Sequence, residues 1–105
     1  KIPIDKKVDF HGLSLLDAES LFVYTINSCY KKNLRCILFI TGKGVLKNIT
    51  NEWGEPKLYY GKIRRNFMTW TKKKELSKFI LNVEQANIKH GADGAFFVYL
   101  RRQKY

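Results

Sequence analysis

The chain has 105 residues, with 45% hydrophobic and 14% aromatic side chains, which suits one domain around one core. Two cysteines are too few for a secreted disulfide framework, and no apolar run reaches the ~18 residues a membrane span needs. The net charge of +11 and pI near 9.8 point to an anionic partner, nucleic acid first.

Fifteen of the 20 basic residues are lysines, so plain solvation is the alternative for much of that charge. Residues 1–7 read as an extended basic lead-in, residues 8–102 as the domain, and 103–105 as a tail. Residues 8–11 form the first predicted strand. Alternation there puts Asp9 and His11 on one face, roughly 7 Å apart, with Phe10 on the other. Gly12 permits a tight exit, and Ser14 and Asp17 have capping-box spacing, so a helix opens at once. It runs from about Leu15 to Lys32, with Ala18, Leu21, Phe22, Ile26 and Cys29 on its apolar face. Asn33 is its expected left-handed cap.

Residues 34–40 are nearly all apolar, the pattern of a central strand covered on both faces. The strand stops at Thr41-Gly42-Lys43-Gly44. Residues 45–58 read as a long loop, with Trp53, Tyr59 and Tyr60 in or beside it as candidates for stacking on bases. A second helix is expected from about Leu58 to Lys73, with Ile63, Phe67 and Trp70 inward. Residues 79–84 are the third strand by the alternation of Phe79, Leu81 and Val83. A loop ending in His90-Gly91-Ala92-Asp93-Gly94 leads to the fourth strand, residues 95–100.

The order β-α-β-α-β-β makes the first three strands parallel in direction, with the last antiparallel to a neighbour. The fold class is an α/β two-layer sandwich with a mixed four-stranded sheet. The loops after the first three strands then leave one edge of the sheet. Those loops hold Asp9, His11 and Gly12; Thr41 to Gly44; and His90 to Gly94. The two cysteines read as buried free thiols of a reducing, cytoplasmic setting.

Three motifs in this order resemble the Smr (small MutS-related) domain, stand-alone type. Its L-D-L-H-G element corresponds to Val8-Asp9-Phe10-His11-Gly12, its T-G-x-G to Thr41-Gly42-Lys43-Gly44, and its H-G-G-x-G-A to His90-Gly91-Ala92-Asp93-Gly94-Ala95. Val8 and Phe10 replace leucines, and Ala92 replaces a glycine. The resemblance implies a fold similar to the C-terminal domain of a bacterial translation initiation factor. It also implies nucleic-acid binding, with endonuclease activity on RNA or DNA in several members. The ribosome is a further possible partner, and the acid and histidine tied to activity map onto Asp9 and His11.

Phosphodiester cleavage needs a general base, a general acid and charge neutralisation. His11 is the first choice for proton transfer, His90 the second, and Lys43 the choice for neutralising a phosphate. Asp9 would orient His11 or bind a divalent metal; no cofactor is otherwise indicated. Two histidines suffice for metal-free cleavage through a 2′-hydroxyl, which tilts the substrate toward RNA. Gly42, Lys43, Gly44 and Gly91 would cradle phosphates, and Arg64, Arg65, Arg101 and Arg102 would hold the backbone. The structural alternatives are a D-x-H pair capping the adjacent helix, a turn lysine, and a loop histidine bonded to backbone. The functional alternative is a module that binds nucleic acid or the ribosome without cutting. The oligomeric state is not legible.

Overall fold

The computed structural model describes residues 3–42, 62–86 and 94–103. The elements in chain order are β1 (Lys6–Asp9), α1 (Leu15–Lys31), β2 (Cys36–Ile40), α2 (Lys62–Thr71), α3 (Lys74–Ser77), β3 (Ile80–Gln85) and β4 (Ala95–Leu100). The sheet order is β1-β2-β4-β3. β1 runs parallel to β2, and β4 is antiparallel to both β2 and β3. Three strands therefore point one way, as expected, but β4 is wedged between the second and the third. Central β2 is buried along Cys36 to Phe39.

The helices cover one face. Val8, Phe10, Ile37, Phe39, Phe96 and Val98 meet Phe22, Ile26, Phe67, Trp70 and Leu76 there. Its centre is aromatic: Phe67 stacks on Phe96 at 4.8 Å and meets Phe22 edge-on at 5.2 Å. On the other face, Leu38, Ala86 and Ala95 form a smaller cluster with Ile40 and Phe97. Cys29 and Cys36 are buried free thiols, and burial pushes both thiol pKa values up.

Both caps of α1 form as the sequence predicts. The Ser14 hydroxyl accepts from the Asp17 amide at 3.1 Å. At the far end Asn33 has φ 59°, and the Leu34 and Asn33 amides donate to the Cys29 and Tyr30 carbonyls. That is the Schellman pattern, with asparagine in the left-handed position.

Several boundaries move. β1 begins at Lys6, inside the expected lead-in, and ends at Asp9 rather than at His11. Asp5 holds this end: its Oδ2 accepts from the amides of Arg35 and Cys36, and its own amide donates to the Cys36 carbonyl. The helix expected to run to Lys73 stops at Thr71 and resumes as α3. At ~100° per residue, an unbroken helix would aim Leu76 about 180° away from Phe67. The break, with Lys73 extended, brings Leu76 fully into the core.

The third strand also corrects the reading. A bulge between Ile80 and Asn82 shifts its phase, so Ile80 and Val83 share the core side and Leu81 is 52% exposed. Strict alternation would have buried Leu81. The loop over residues 45–58 lies outside the described residues.

Candidate functional site

The carboxyl ends of β1 and β2 meet in a cleft of about 280 Å³. It is lined by Asp9, Phe10, His11, Gly12, Ile40, Thr41, Gly42 and Ile63. Two of the three sequence motifs thus supply most of its lining among the described residues. Ile63 brings the first turn of α2 beside it, and Gly12 leads directly into the start of α1.

Phe10 ties the first motif to the core. It is 1% exposed, stacks on Phe39 at 5.6 Å and meets Trp70 edge-on at 6.1 Å. Its amide donates to the Ile40 carbonyl at 3.0 Å. Beyond it the chain turns sharply, the Leu13 amide reaching back to the Phe10 carbonyl at 3.0 Å. Gly12, third in that turn, has φ +80°, which a type II turn requires.

Asp9 and His11 are not strand neighbours on one face, because the strand ends between them. Their link runs through the backbone: the His11 amide donates to Asp9 Oδ1 at 2.9 Å. This is the local turn that an aspartate makes with an amide two residues on. Both residues are exposed, on the rim of the cleft. Asp9 registers opposite Ile40, on the sheet face away from the helices.

The second motif is pinned from the far side of β2. The amides of Thr41 and Gly42 both donate to the Gly94 carbonyl, at 2.6 and 3.0 Å, and the Thr41 hydroxyl donates to it at 3.1 Å. Gly42 has φ +87° and stands exposed at the cleft edge. In the sequence Gly94 is marked only as the last glycine of the third motif; its position immediately before the strand that pairs with β2 is the signal for the clamp it forms.

The remaining candidates divide. Lys43, Gly44, His90 and Gly91, with Trp53, Tyr59 and Tyr60, lie outside the described residues. Arg65 is exposed and Arg64 half-buried on α2, the helix whose first turn borders the cleft. Arg101 and Arg102 follow β4 and stand at the opposite end of the sheet. Gly42 lies seven steps along the chain from Arg35, at that end, which is about 23 Å at the rise of a strand. These two arginines therefore do not join the motif cleft.

Among the described residues no three His, Cys, Asp or Glu side chains gather to hold a metal ion. With one Asp9 oxygen engaged by the His11 amide, these donors alone do not form a metal site. No described helix is long and apolar enough to cross a membrane.

A two-layer sheet with a glycine-lined cleft at its motif-bearing end defines the class, and the comparisons agree with it. The sequence profile of the Smr domain matches residues 8–101, so the chain belongs to the Smr family, which is associated with nucleic-acid binding and nuclease activity. The fold is similar to the crystal structure of the Smr domain of Thermus thermophilus MutS2, with a TM-score of 0.69 and 20% identity over 91% of this chain and 98% of that one. It is also similar to YdaL, a stand-alone small MutS-related protein from Escherichia coli, with a TM-score of 0.73 and 20% identity over 97% of this chain and 69% of that one. No curated protein sequence gives a significant match.

Proposed function

We propose that the chain is a nucleic-acid-binding Smr domain that cleaves phosphodiester bonds, RNA in preference to DNA. The observation that carries the proposal is the cleft that His11, exposed on a turn anchored by Phe10, lines together with Gly42. The amide-bearing N-terminus of α1 and the turn that precedes it favour an anion there.

In this reading His11 is the proton-transfer group. It takes the proton of a ribose 2′-hydroxyl; the 2′-oxygen attacks the adjacent phosphorus, and the 5′-oxygen leaves and is protonated. The products are a 2′,3′-cyclic phosphate and a 5′-hydroxyl end. RNA is favoured because it carries its own nucleophile. Asp9 is a positioning residue: it holds the His11 amide and so fixes the turn that presents the imidazole. Lys43 is proposed to neutralise the phosphate, and His90 to protonate the leaving oxygen.

The test is cleavage of end-labelled RNA and DNA, single-stranded and structured, with and without EDTA, by the wild type and His11→Ala. Cyclic-phosphate ends that form in EDTA and fall by about 10²–10⁴-fold in the variant support the proposal. Cleavage that EDTA stops overturns the histidine mechanism in favour of a metal. Tight binding without cleavage of any substrate supports the second reading, a binding module. The specific observation favouring that reading is the backbone use of Asp9.

A further inference from the structure

The pole of the sheet opposite the motif cleft holds a second concave site. A cavity of about 530 Å³ is lined by Tyr30, Arg35, Lys78, Leu81, Arg101 and Arg102. Four of these six are cations and none is an acid. The backbone holds them in place. Arg35 Nε donates to the Leu100 carbonyl at 2.8 Å, the Leu100 amide returns a bond to the Arg35 carbonyl at 2.8 Å, and the Arg101 amide donates to the Phe79 carbonyl at 2.8 Å. Phe79 in turn packs on Tyr30 at 4.3 Å, with the Lys78 ammonium 5.1 Å from its ring centroid.

Among the described residues this charge is not neutralised locally. Among the described residues no carboxylate pairs with Lys78, Arg101 or Arg102. Asp5, bonded to the same end of the sheet, spends Oδ2 on the backbone amides of Arg35 and Cys36. A hollow of four cations beside the Tyr30 ring fits a chain of phosphates bearing a stackable base.

We propose that this pocket is a second phosphate-binding site, engaging the same nucleic-acid strand as the motif cleft at a point several nucleotides away. The proposal rests on the nucleic-acid-binding reading above. The two sites are about 23 Å apart by strand rise. A stacked strand carries one phosphate per ~3.4 Å, so about seven nucleotides separate them. The motif cleft would hold the bond to be cut, and the far pocket would set the minimum length of strand that binds well.

The probes are 12-nucleotide and 4-nucleotide oligouridylates and oligothymidylates, followed by fluorescence anisotropy across a NaCl series. The variants are Arg101→Gln/Arg102→Gln and Lys78→Gln, all at exposed positions, with thermal melts as a check on folding. The expected result is about tenfold weaker binding of the 12-mers by the double variant, with the salt slope shallower by about 1.4. Lys78→Gln should show a smaller loss, and both variants should change 4-mer binding less than about twofold. Comparing the uridylate and thymidylate series shows whether the pocket serves RNA, DNA or both. Unchanged affinity and slope for the 12-mer overturn the pocket alone, as does a loss equal at both lengths. Unchanged 12-mer binding with lost binding of polyglutamate would reassign it to an acidic protein. A wild type that binds no oligonucleotide overturns the functional reading and this site with it.

Discussion

The backbone amide of His11 donates to the Asp9 carboxylate at 2.9 Å, so the two residues most suggestive of catalysis are coupled by the main chain. The carboxylate shapes the turn, and the turn presents the imidazole. This separates Asp9 from a metal ligand or an acid by experiment. Asp9→Ala removes the acceptor and should cost about 1 kcal/mol, lowering Tm by roughly 4–8 °C. Asp9→Asn keeps an amide oxygen that accepts the same bond, so it should lose less than half as much stability and retain most cleavage. Thermal melts with cleavage rates check this. An Asn variant that melts like wild type yet is inactive would show that the charge itself is needed.

The glycine at the cleft edge should matter for conformation rather than space. A Cβ on Gly42 meets none of the described residues within 4 Å, but its φ of +87° is one that side chains rarely adopt. Gly42→Ala should therefore cost roughly 1–2 kcal/mol. It should also loosen the Thr41–Gly94 clamp, seen as faster exchange of the Thr41 and Gly42 amides. Unchanged exchange with lost nucleic-acid affinity would mean that the methyl blocks a ligand instead.

Phe10 links stability and site. It is 1% exposed among Phe39, Phe67 and Trp70. Phe10→Ala should cost about 3–5 kcal/mol, a large share of the ~5–15 kcal/mol that holds a domain together. Phe10→Leu, the milder change, should stay folded in urea titrations while shifting the turn that carries His11. A fully active Phe10→Ala with wild-type stability would contradict the anchoring role.

Alkaline stability should report on Tyr99. Burial, and then its 2.9 Å bond to Glu84, push its pKa from the ordinary 10.0 up to about 12. In the unfolded chain Tyr99 ionises near 10, while the folded chain keeps the proton. Its contribution is thus complete below pH ~10 and lost as pH rises toward about 12. The raised thiols of Cys29 and Cys36 act in the same direction from their ordinary 9.0 upward. Among six tyrosines, Tyr99 should be among the latest to ionise by ultraviolet absorbance, and Tyr99→Phe should flatten the stability loss between pH 10 and 12.

Much of the frame was legible because its causes are local. A hydroxyl three residues before an acid starts α1 at Ser14, and an asparagine able to enter the left-handed region ends it at Asn33. An unbroken apolar run from Cys36 to Ile40 has the pattern of a strand covered on both sides. The direction of the first three strands follows from crossover connections, and with it the single edge that bears the first two motifs.

Tertiary structure decided the rest, because those features depend on partners distant in sequence. Period two alone predicts Leu81 inside, but pairing with β4 places a bulge there and turns it out. Helical period alone carries α2 to Lys73, yet burying Leu76 requires a break. Strand alternation sets Asp9 beside His11, while the competing bond to a nearby amide ends the strand first. Nothing local reveals that Gly94 clamps Thr41 and Gly42, or that Arg35 meets Arg101 and Arg102 at the far pole. The sequence by itself determined the family, the order of the four strands and two longer helices, and the motif-bearing edge, since caps, periods and turn glycines act over a few residues. The insertion of β4 between β2 and β3 decided which motifs touch and which cations stand apart, since long-range pairing is chosen by the burial of the whole sheet.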